Sequence, residues 1–227
     1  FLNLLLMSGA VAEHDLSSLK VITYGTEPMP EALLARLRAA LPRVRFIQTF
    51  GTSETGIAQT SSRGNDSTFF KIEDPSLEWK LVDGELWLRS RTQVLGYLNA
   101  GMESFREGGW FNTGDLVEQT ADGYLRVLGR GSELINVGGE KVLPAEVENA
   151  LLQLPEVADC AVYGQPNPIT GQTVVVDVVA AGMTTGAHLR QAVRQHATKH
   201  LSRYKVPTRI NVVETLGHTG RFKKKRP

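Results

Sequence analysis

The sequence predicts a mixed fold: an α/β stretch over residues 1–65, a small antiparallel β sheet or partial barrel over 66–129, and a small α+β domain over 133–227. Three observations predict it. First, the apolar, β-branched run Leu19–Tyr24 is followed by Leu33, Leu34, Leu37, Ala40 and Leu41 at the spacing of one helical face, bounded by Pro30 and Pro42. A second strand-like run, Val44–Thr49, completes a βαβ unit, whose strands should be parallel with a right-handed crossover. Second, Asp83-Gly84 joins Trp79–Val82 to Glu85–Leu88, a type I′ hairpin signal, and Asp122-Gly123 precedes another strand over Tyr124–Leu128. Third, the pattern resets after Gly129-Arg130-Gly131.

Beyond that reset the elements follow in order. Leu134–Val137 and Lys141–Leu143 form a short hairpin through Gly138-Gly139. Pro144 opens a helix with Val147, Ala150, Leu151 and Leu154 on its apolar face. Val157–Tyr163 and Thr173–Ala180 read as strands, Leu189, Val193, Ala197 and Leu201 mark a second amphipathic helix, and Thr208–Val213 is the last strand. The pattern therefore divides the chain at 130–132, between residues 1–129 and a small domain over 133–227.

Composition sets the outer limits. At roughly 150 residues per domain, 227 residues allow one or two domains. Lys and Arg number 25 against 24 for Asp and Glu, a balance that argues against a basic nucleic-acid coat or an acidic tail. One cysteine, Cys160, excludes an intramolecular disulfide and a cysteine-rich zinc site, and is compatible with a cytoplasmic location. Its apolar strand predicts a buried, inert thiol. No transmembrane segment is expected, since no apolar stretch nears the length that spans a bilayer. Phe1–Ala12 has the apolar character of a signal h-region but lacks a basic n-region and a starting Met, and Asn3 interrupts it, so the chain is expected to be a fragment of something longer rather than a secreted protein.

Four short glycine-containing turns are expected after or between strands: Gly25-Thr26-Glu27-Pro28, Phe50-Gly51-Thr52-Ser53-Glu54, Thr113-Gly114-Asp115 and Gly129-Arg130. The first two follow the parallel strands, whose carboxyl ends are where ligands gather in open α/β sheets. Their contents suit a nucleotide: an aromatic face, hydroxyls and backbone N–H groups for phosphate, and a carboxylate for Mg²⁺. Any one of them alone is most simply a turn.

In this order and spacing, the motifs FGTSETG (50–56), GWFNTGD (109–115) and Gly129-Arg130, with the run INVGGEKVLPAEVE (135–148) after them, resemble the adenylate-forming superfamily. Acyl-CoA synthetases, nonribosomal peptide synthetase adenylation domains and firefly luciferase are among its members. The resemblance covers almost the whole chain and corresponds to the second half of such an enzyme, which implies that 1–129 is the end portion of a large N-terminal domain, 130–132 a hinge, and 133–227 a small C-terminal lid domain. It implies activation of a carboxylic acid by ATP to an acyl-adenylate, then transfer of the acyl group to a thiol, that of coenzyme A or of a carrier-protein pantetheine. It implies a nucleotide site in which Phe50 stacks on adenine beside Gly25, Thr26, Glu27 and Gly51. Thr52 and Ser53 would meet the α-phosphate, Glu54 would hold Mg²⁺, Asp115 would accept from the ribose hydroxyls, and Arg130 would add a charged contact to ribose or phosphate. Ser132 falls at the family's hinge position, and Gly138-Gly139 at a backbone stretch that a pantetheine arm passes.

Two departures stand out. The hinge position is usually Asp or Lys, and here it is Ser132 with Glu133 beside it. Thr219-Gly220-Arg221 stands where the family has the same dipeptide followed by a catalytic Lys, so Arg221, or Lys223 two residues on, would carry that charge. The family's glycine-rich Ser/Thr loop for the β- and γ-phosphates and most of its acyl pocket lie upstream of this stretch, so the 227 residues alone are expected to be inactive. The remaining candidates read more plainly. The helical pair His196 and His200 lacks a third ligand and reads as a solvated helix flank. Trp110 reads as packing, and the basic run from Arg221 to Arg226 reads as a solvated end rather than a nucleic-acid site. Three readings stay open: an acyl-CoA synthetase-like or nonribosomal-type ligase, a non-enzymatic relative that binds AMP or a partner, and an unrelated two-domain nucleotide-binding protein. Motif order and spacing argue against the last.

Overall fold

A computed structural model of the chain describes residues 1–220 and 223–226. The chain divides into two compact units, one made of residues 19–29 and 43–132, the other of 1–18, 30–42 and 133–227. Among the described residues no helix is long and apolar enough to cross a membrane.

In the first unit, Val21–Tyr24 and Arg45–Gln48 pair in parallel, Tyr24 opposite Gln48, as the βαβ pattern requires. The Thr49 N–H donates to Tyr24 O (2.7 Å), which carries the pairing one step past the strand. Phe50–Thr52 then pairs antiparallel with Gly56–Ala58. Where the sequence suggested a simple turn there is a tight hairpin, closed by the Thr55 N–H donating to Thr52 Oγ1 (3.1 Å) and by Gly56 at φ +85°.

The rest of this unit is a seven-stranded sheet, antiparallel throughout. Its spatial order is Thr60–Ser62, Phe70–Ile72, Leu125–Arg130, Trp110–Gln119, Glu85–Ser90 and Leu77–Val82, with Phe105–Arg106 pairing on Trp110–Gln119. The Asp83-Gly84 turn has φ +52° and +81°, the two positive values that a type I′ hairpin needs. One face is apolar by alternation: Leu86 and Leu88 are fully buried and meet Phe70, Leu77, Val117 and Leu125. Two expected turns are corrected here. Thr113-Gly114-Asp115 and Gly129-Arg130 lie inside the neighbouring strands Trp110–Gln119 and Leu125–Arg130, at register irregularities rather than chain reversals. Gly114 at φ +70° makes this local: it lets the strand kink and continue, which re-aims the next side chain.

The second unit holds short helices Leu2–Met7 and Ala10–Glu13, helix Glu31–Ala40, and the chain from Glu133 onward. The Arg36 guanidinium donates to Asn3 Oδ1 (2.7 Å), Val157 O (3.3 Å) and Ala158 O (3.1 Å). Ile135–Val137 and Glu140–Val142 form the expected small hairpin, with Gly138 and Gly139 at φ +62° and +93°. The two expected strands are longer than the sequence suggested: Val157–Asn167 and Gly171–Ala180 make one continuous hairpin, because pairing extends through Tyr163–Asn167 to the turn. Arg209–Val213 adds in parallel to Gly171–Ala180. Helices Pro144–Leu151 and Gly186–His200 contribute Val147, Leu151, Leu189, Val193 and Ala197 to a core with Cys160, Val162, Val174, Val176 and Val178. Each fully buried Val or Leu stabilises this unit by about 1.5–3 kcal/mol relative to exposure.

Two more expectations meet the structure here. Cys160 is buried as expected, and burial pushes its thiol pKa up. Of the basic run, Lys223 and Lys225 are exposed as expected, but two residues are not solvated ends. Lys224 pairs with Asp159 (2.7 Å), and Arg226 pairs with Glu148 (3.1 Å) and Glu133 (3.4 Å), both acting on the core of the unit. His196 likewise leaves the solvent role assigned to it, with Nε2 on Ala150 O at 2.9 Å.

Candidate functional site

The site is built on the first unit, from the end of the parallel pair to the kinked strands. At Gly25 a Cβ would lie 2.0 Å from Thr49 O, so only glycine lets the two strand ends close here. Gly51 is constrained in the same way, 2.6 Å from Gly56 O and 2.7 Å from Ile57 Cα. Between them Phe50 is buried, its ring stacked on Phe70 at 5.6 Å between centroids and 19° between planes. One face of Phe50 is therefore already used inside the protein.

Glu54 sits at the tip of the Phe50–Ala58 hairpin. Its carboxylate accepts from the Tyr97 hydroxyl, and its backbone carbonyl accepts from Val94 N–H (2.8 Å), so the 94–97 loop fastens to it twice. Tyr97 in turn packs edge-on against Phe105 at 5.3 Å. Burial pushes the Glu54 carboxyl upward, but the Tyr97 hydrogen bond, helped by Thr52 and the Arg130 charge, outweighs it and holds the pKa below the usual value. The same bond pushes the Tyr97 phenol up to about 12.

Asp115 and Arg130 face each other across the kinked strands, Arg130 Nε to Asp115 Oδ1 at 3.3 Å. Asp115 is oriented from behind. Its N–H donates to Thr113 Oγ1 (3.0 Å), and the buried Thr113 hydroxyl donates to Leu86 O (2.8 Å). Asn112 accepts from the Gly114 N–H (2.8 Å) and donates to Glu85 (2.7 Å), which fixes the kink itself. The positive charge of Arg130 helps to lower the pKa of both Glu54 and Tyr97.

The other expected residues fall as follows. Thr52 is engaged within its own hairpin, through Thr55 Oγ1 (3.0 Å) and Thr55 N–H, while Ser53 and Thr26 are exposed and Glu27 is half-buried. Ser132 is exposed in a single 3₁₀ turn, Gly131–Glu133, at the point where the chain passes from one unit to the other. Gly138 and Gly139 belong to the second unit, as does Lys223, which is exposed. A Cβ at Gly139 would meet nothing within 4 Å, so its positive φ alone accounts for the glycine. Arg221 lies outside the described residues. Trp110 is packing: Lys80 and Arg89 lie 4.2 and 4.9 Å from its ring centroid. Sequence reasoning missed Tyr97 and Thr113. The first is a lone aromatic in an irregular loop with no periodicity to mark it. The second is adjacent to Asp115, but its role depends on Leu86, a cross-strand partner that only the fold reveals.

Residues 1–98 match the model of the AMP-binding enzyme family and residues 146–223 that of the AMP-binding enzyme C-terminal domain. A 4-coumarate–CoA ligase-like protein of Oryza sativa subsp. japonica is 33% identical over 92% of this chain and 38% of its own length. The solved anthranilate CoA ligase AuaEII, in complex with anthranoyl-AMP, is 29% identical with a TM-score of 0.78, covering 94% of this chain and 44% of that one. The amide bond synthetase McbA from Marinactinospora thermotolerans is 29% identical with a TM-score of 0.79, over 98% and 49%. The chain thus spans about 40% of the length of the curated relatives it matches. With both family models in sequence order on its two ends and the same fold in solved relatives, the chain belongs to the AMP-binding enzyme family and corresponds to its C-terminal part.

Proposed function

We propose that the whole protein is an ATP-dependent carboxylic acid–thiol ligase, and that this chain supplies its nucleotide cradle and C-terminal domain. The observations that carry the reading are the Asp115–Arg130 ion pair on the kinked strands and the Tyr97–Glu54 hydrogen bond in the hairpin that begins at Phe50-Gly51. A carboxylate held by a cation and backed by Thr113 offers acceptor positions on two oxygens, the complement of a ribose diol. Arg130 brings a permanent positive charge to the neighbourhood of a phosphate. Thr26, Ser53 and the backbone around them add neutral donors, with Thr52 shaping the hairpin and Glu27 bordering the same end of the sheet.

The mechanism follows from these groups. Asp115 orients the ribose, and Gly25 and Gly51 let the base approach backbone. Phe50 forms the rear wall of the base site rather than a freely exposed stacking plate, since Phe70 covers one of its faces. The bound α-phosphorus is then fixed for attack by the substrate carboxylate oxygen, with pyrophosphate leaving. Holding the two reactants in line is itself worth a large part of the barrier. Arg130 counters the negative charge that gathers on the phosphoryl oxygens. Attack by a thiol on the acyl carbon then releases AMP. Among the described residues no cluster of three metal-binding side chains occurs. A lone carboxylate fits Mg²⁺, a cation commonly held by one or two carboxylates together with phosphate oxygens and water, and Glu54 would be that ligand. When bound, the ion would neutralise phosphate charge; Tyr97 keeps Glu54 ionised and oriented.

Coenzyme A is the proposed acceptor, supported by the CoA ligases among the relatives. A carrier-protein pantetheine is the alternative thiol, and Gly138-Gly139 would border its path. Ser132 would serve as hinge, and Lys223 or Arg221 as the cation near the α-phosphate. A cytoplasmic location is part of the same proposal. A second reading, amide formation, is favoured by the McbA likeness and differs only in the acceptor. The test is ATP–pyrophosphate exchange by the full-length protein across a panel of carboxylic acids. Acid-dependent exchange that is lost in Glu54→Gln supports the reading, and exchange independent of acid rejects it. Adding coenzyme A or an amine afterwards identifies the acceptor.

A further inference from the structure

The strand that carries Asp115 leaves its ladder just before it reaches that residue. Asn112 stands opposite Trp87 and Leu116 opposite Glu85, so Thr113, Gly114 and Asp115 share the space of a single partner, Leu86. This is a bulge, a device that bends a strand and re-aims a side chain. On its other edge the same strand keeps step, with Asp115 directly opposite Arg130. Gly114, at φ +70°, is the centre of the bulge. A cavity of about 320 Å³ opens beside it, with Glu85, Asn112, Thr113, Gly114 and Arg130 in its wall, so the bulge borders open space rather than packed core.

Side chains hold the bulge where the ladder is interrupted. From one side, Thr113 links the Asp115 N–H to Leu86 O. From the other, the Gly114 N–H donates to Asn112 Oδ1 (2.8 Å), and Asn112 Nδ2 donates to Glu85 Oε2 (2.7 Å). The Asn112 backbone is fixed in turn, its N–H on Ser104 O at 2.8 Å. Glu85 directly follows the Asp83-Gly84 turn, a tight corner of the sheet. A Cβ at Gly131 would lie 3.0 Å from Glu85 Oε1, so glycine there leaves the carboxylate room beside the end of the Leu125–Arg130 strand. One carboxylate thus lies against both strands that present Asp115 and Arg130. A hydrogen bond to an ionised carboxylate is roughly twice as strong as a neutral one, which makes the link to Glu85 the firm end of the bridge.

We propose that Glu85 and Asn112 are positioning residues for nucleotide binding: the bridge Glu85–Asn112–Gly114 sets the direction in which Asp115 is presented to the ribose diol. The inference deepens the ligase reading above and rests on its ribose contact. Two neighbouring hydroxyls need acceptor oxygens at defined places, because hydrogen bonds weaken steeply when bent. A bulge released from the bridge turns Asp115 away from the diol and leaves Gly25, Gly51 and Phe50 where they are. The bridge therefore governs recognition of the sugar and not of the base.

The experiment uses the full-length protein and compares ATP with 2′,3′-dideoxy-ATP, which lacks the diol, by calorimetric titration. The variants are Asn112→Ala, Glu85→Ala, and the double exchange Glu85→Gln with Asn112→Asp. The double exchange keeps the net charge and restores the bridge with donor and acceptor reversed. The unmutated protein is expected to prefer ATP by at least about tenfold, the scale of hydrogen bonds to a charged group. Asn112→Ala should keep its fold by circular dichroism and bind ATP about tenfold more weakly, with the analogue within about twofold. Glu85→Ala should act in the same direction, and either single variant decides the matter if the other does not fold. The double exchange should recover most of the preference for ATP. Equal weakening of ATP and the analogue, an unchanged preference in a folded single variant, or a double exchange as poor as the single variants would overturn the positioning role. An unmutated protein that binds both nucleotides alike would overturn the ribose contact, and the positioning role with it. A preference for ATP without acid-dependent pyrophosphate exchange would overturn the ligase reading alone.

Discussion

Asp115 and Arg130 are register partners on adjacent antiparallel strands, and their side chains meet at 3.3 Å because a glycine on each strand breaks the regular pleat beside them. Gly114 precedes Asp115 at φ +70° and Gly129 precedes Arg130 at φ +147°. The carboxylate is largely sheltered, with its side chain 13% exposed, while the guanidinium is 58% exposed. An ion pair this open contributes little to stability. It presents an oriented acid and an exposed cation side by side.

Removing that acid should weaken nucleotide binding. Asp115→Ala in the full-length protein is expected to cost about 1.5–3 kcal/mol of ATP affinity, the range for hydrogen bonds to a charged group. Calorimetric titration checks it, and an unchanged affinity removes Asp115 from the site.

Gly25→Ala should destabilise the first unit. The added methyl meets Thr49 O at 2.0 Å, and backbone cannot yield as a side-chain end can. Overpacking of this kind costs typically about 1–3 kcal/mol. Thermal unfolding of the 227-residue chain reads it directly. Gly139→Ala tests a different cause, since only its φ of +93° is strained and no neighbour lies in the way.

Tyr24 supplies a pH prediction. Burial raises its phenol to about 12, because the phenolate would be poorly solvated. The folded pKa exceeds the unfolded value near 10, so the folded state holds this proton more tightly. Its contribution to stability is complete below pH ~10 and is lost as pH rises toward ~12. Tyrosine ¹³Cζ shifts followed by NMR should place Tyr24 about two units above an exposed tyrosine; titration near 10 contradicts the buried setting.

Tyr97→Phe should raise the Glu54 carboxyl pKa, since the lost hydroxyl is the leading group that holds it down against burial. A carboxyl ¹³C titration of Glu54 in the two proteins checks the sign. An unaltered value would mean the Tyr97–Glu54 contact does not persist in solution.

Much of this was legible in the sequence where local chemistry decides. Asp83-Gly84 and Gly138-Gly139 announce their turns because few residues tolerate positive φ twice in succession. Leu33, Leu34 and Leu37 announce a helix face because burial repeats with its period, and all three are buried. The kinks at Gly114 and Gly129 were not legible as kinks. A glycine signals that φ can turn positive, but whether the strand then reverses or continues depends on the partners Arg130, Gly129 and Leu88 across the sheet. The fate of the basic run was hidden for the same reason: Lys224 and Arg226 look solvated until Asp159 and Glu148 are brought beneath them. Motif order marked the candidate nucleotide residues, whereas Tyr97 and Thr113 make their contacts with Glu54 and Leu86, distant in sequence.

The 227-residue chain by itself is expected to release no pyrophosphate above background with ATP and carboxylic acids. It spans only about 40% of its curated relatives' length. Pyrophosphate release above background from the purified chain would contradict that division of labour.

The central claim is that the whole protein activates a carboxylate by bonding one of its oxygens to the α-phosphorus of ATP. An ¹⁸O-labelled carboxylic acid, turned over by the full-length protein with ATP and a thiol, tests it by mass spectrometry of the products. The account predicts AMP carrying one ¹⁸O atom, transferred from the acid when the thiol cleaves the acyl-adenylate. Unlabelled AMP, or label appearing in inorganic phosphate with ADP as co-product, would contradict it.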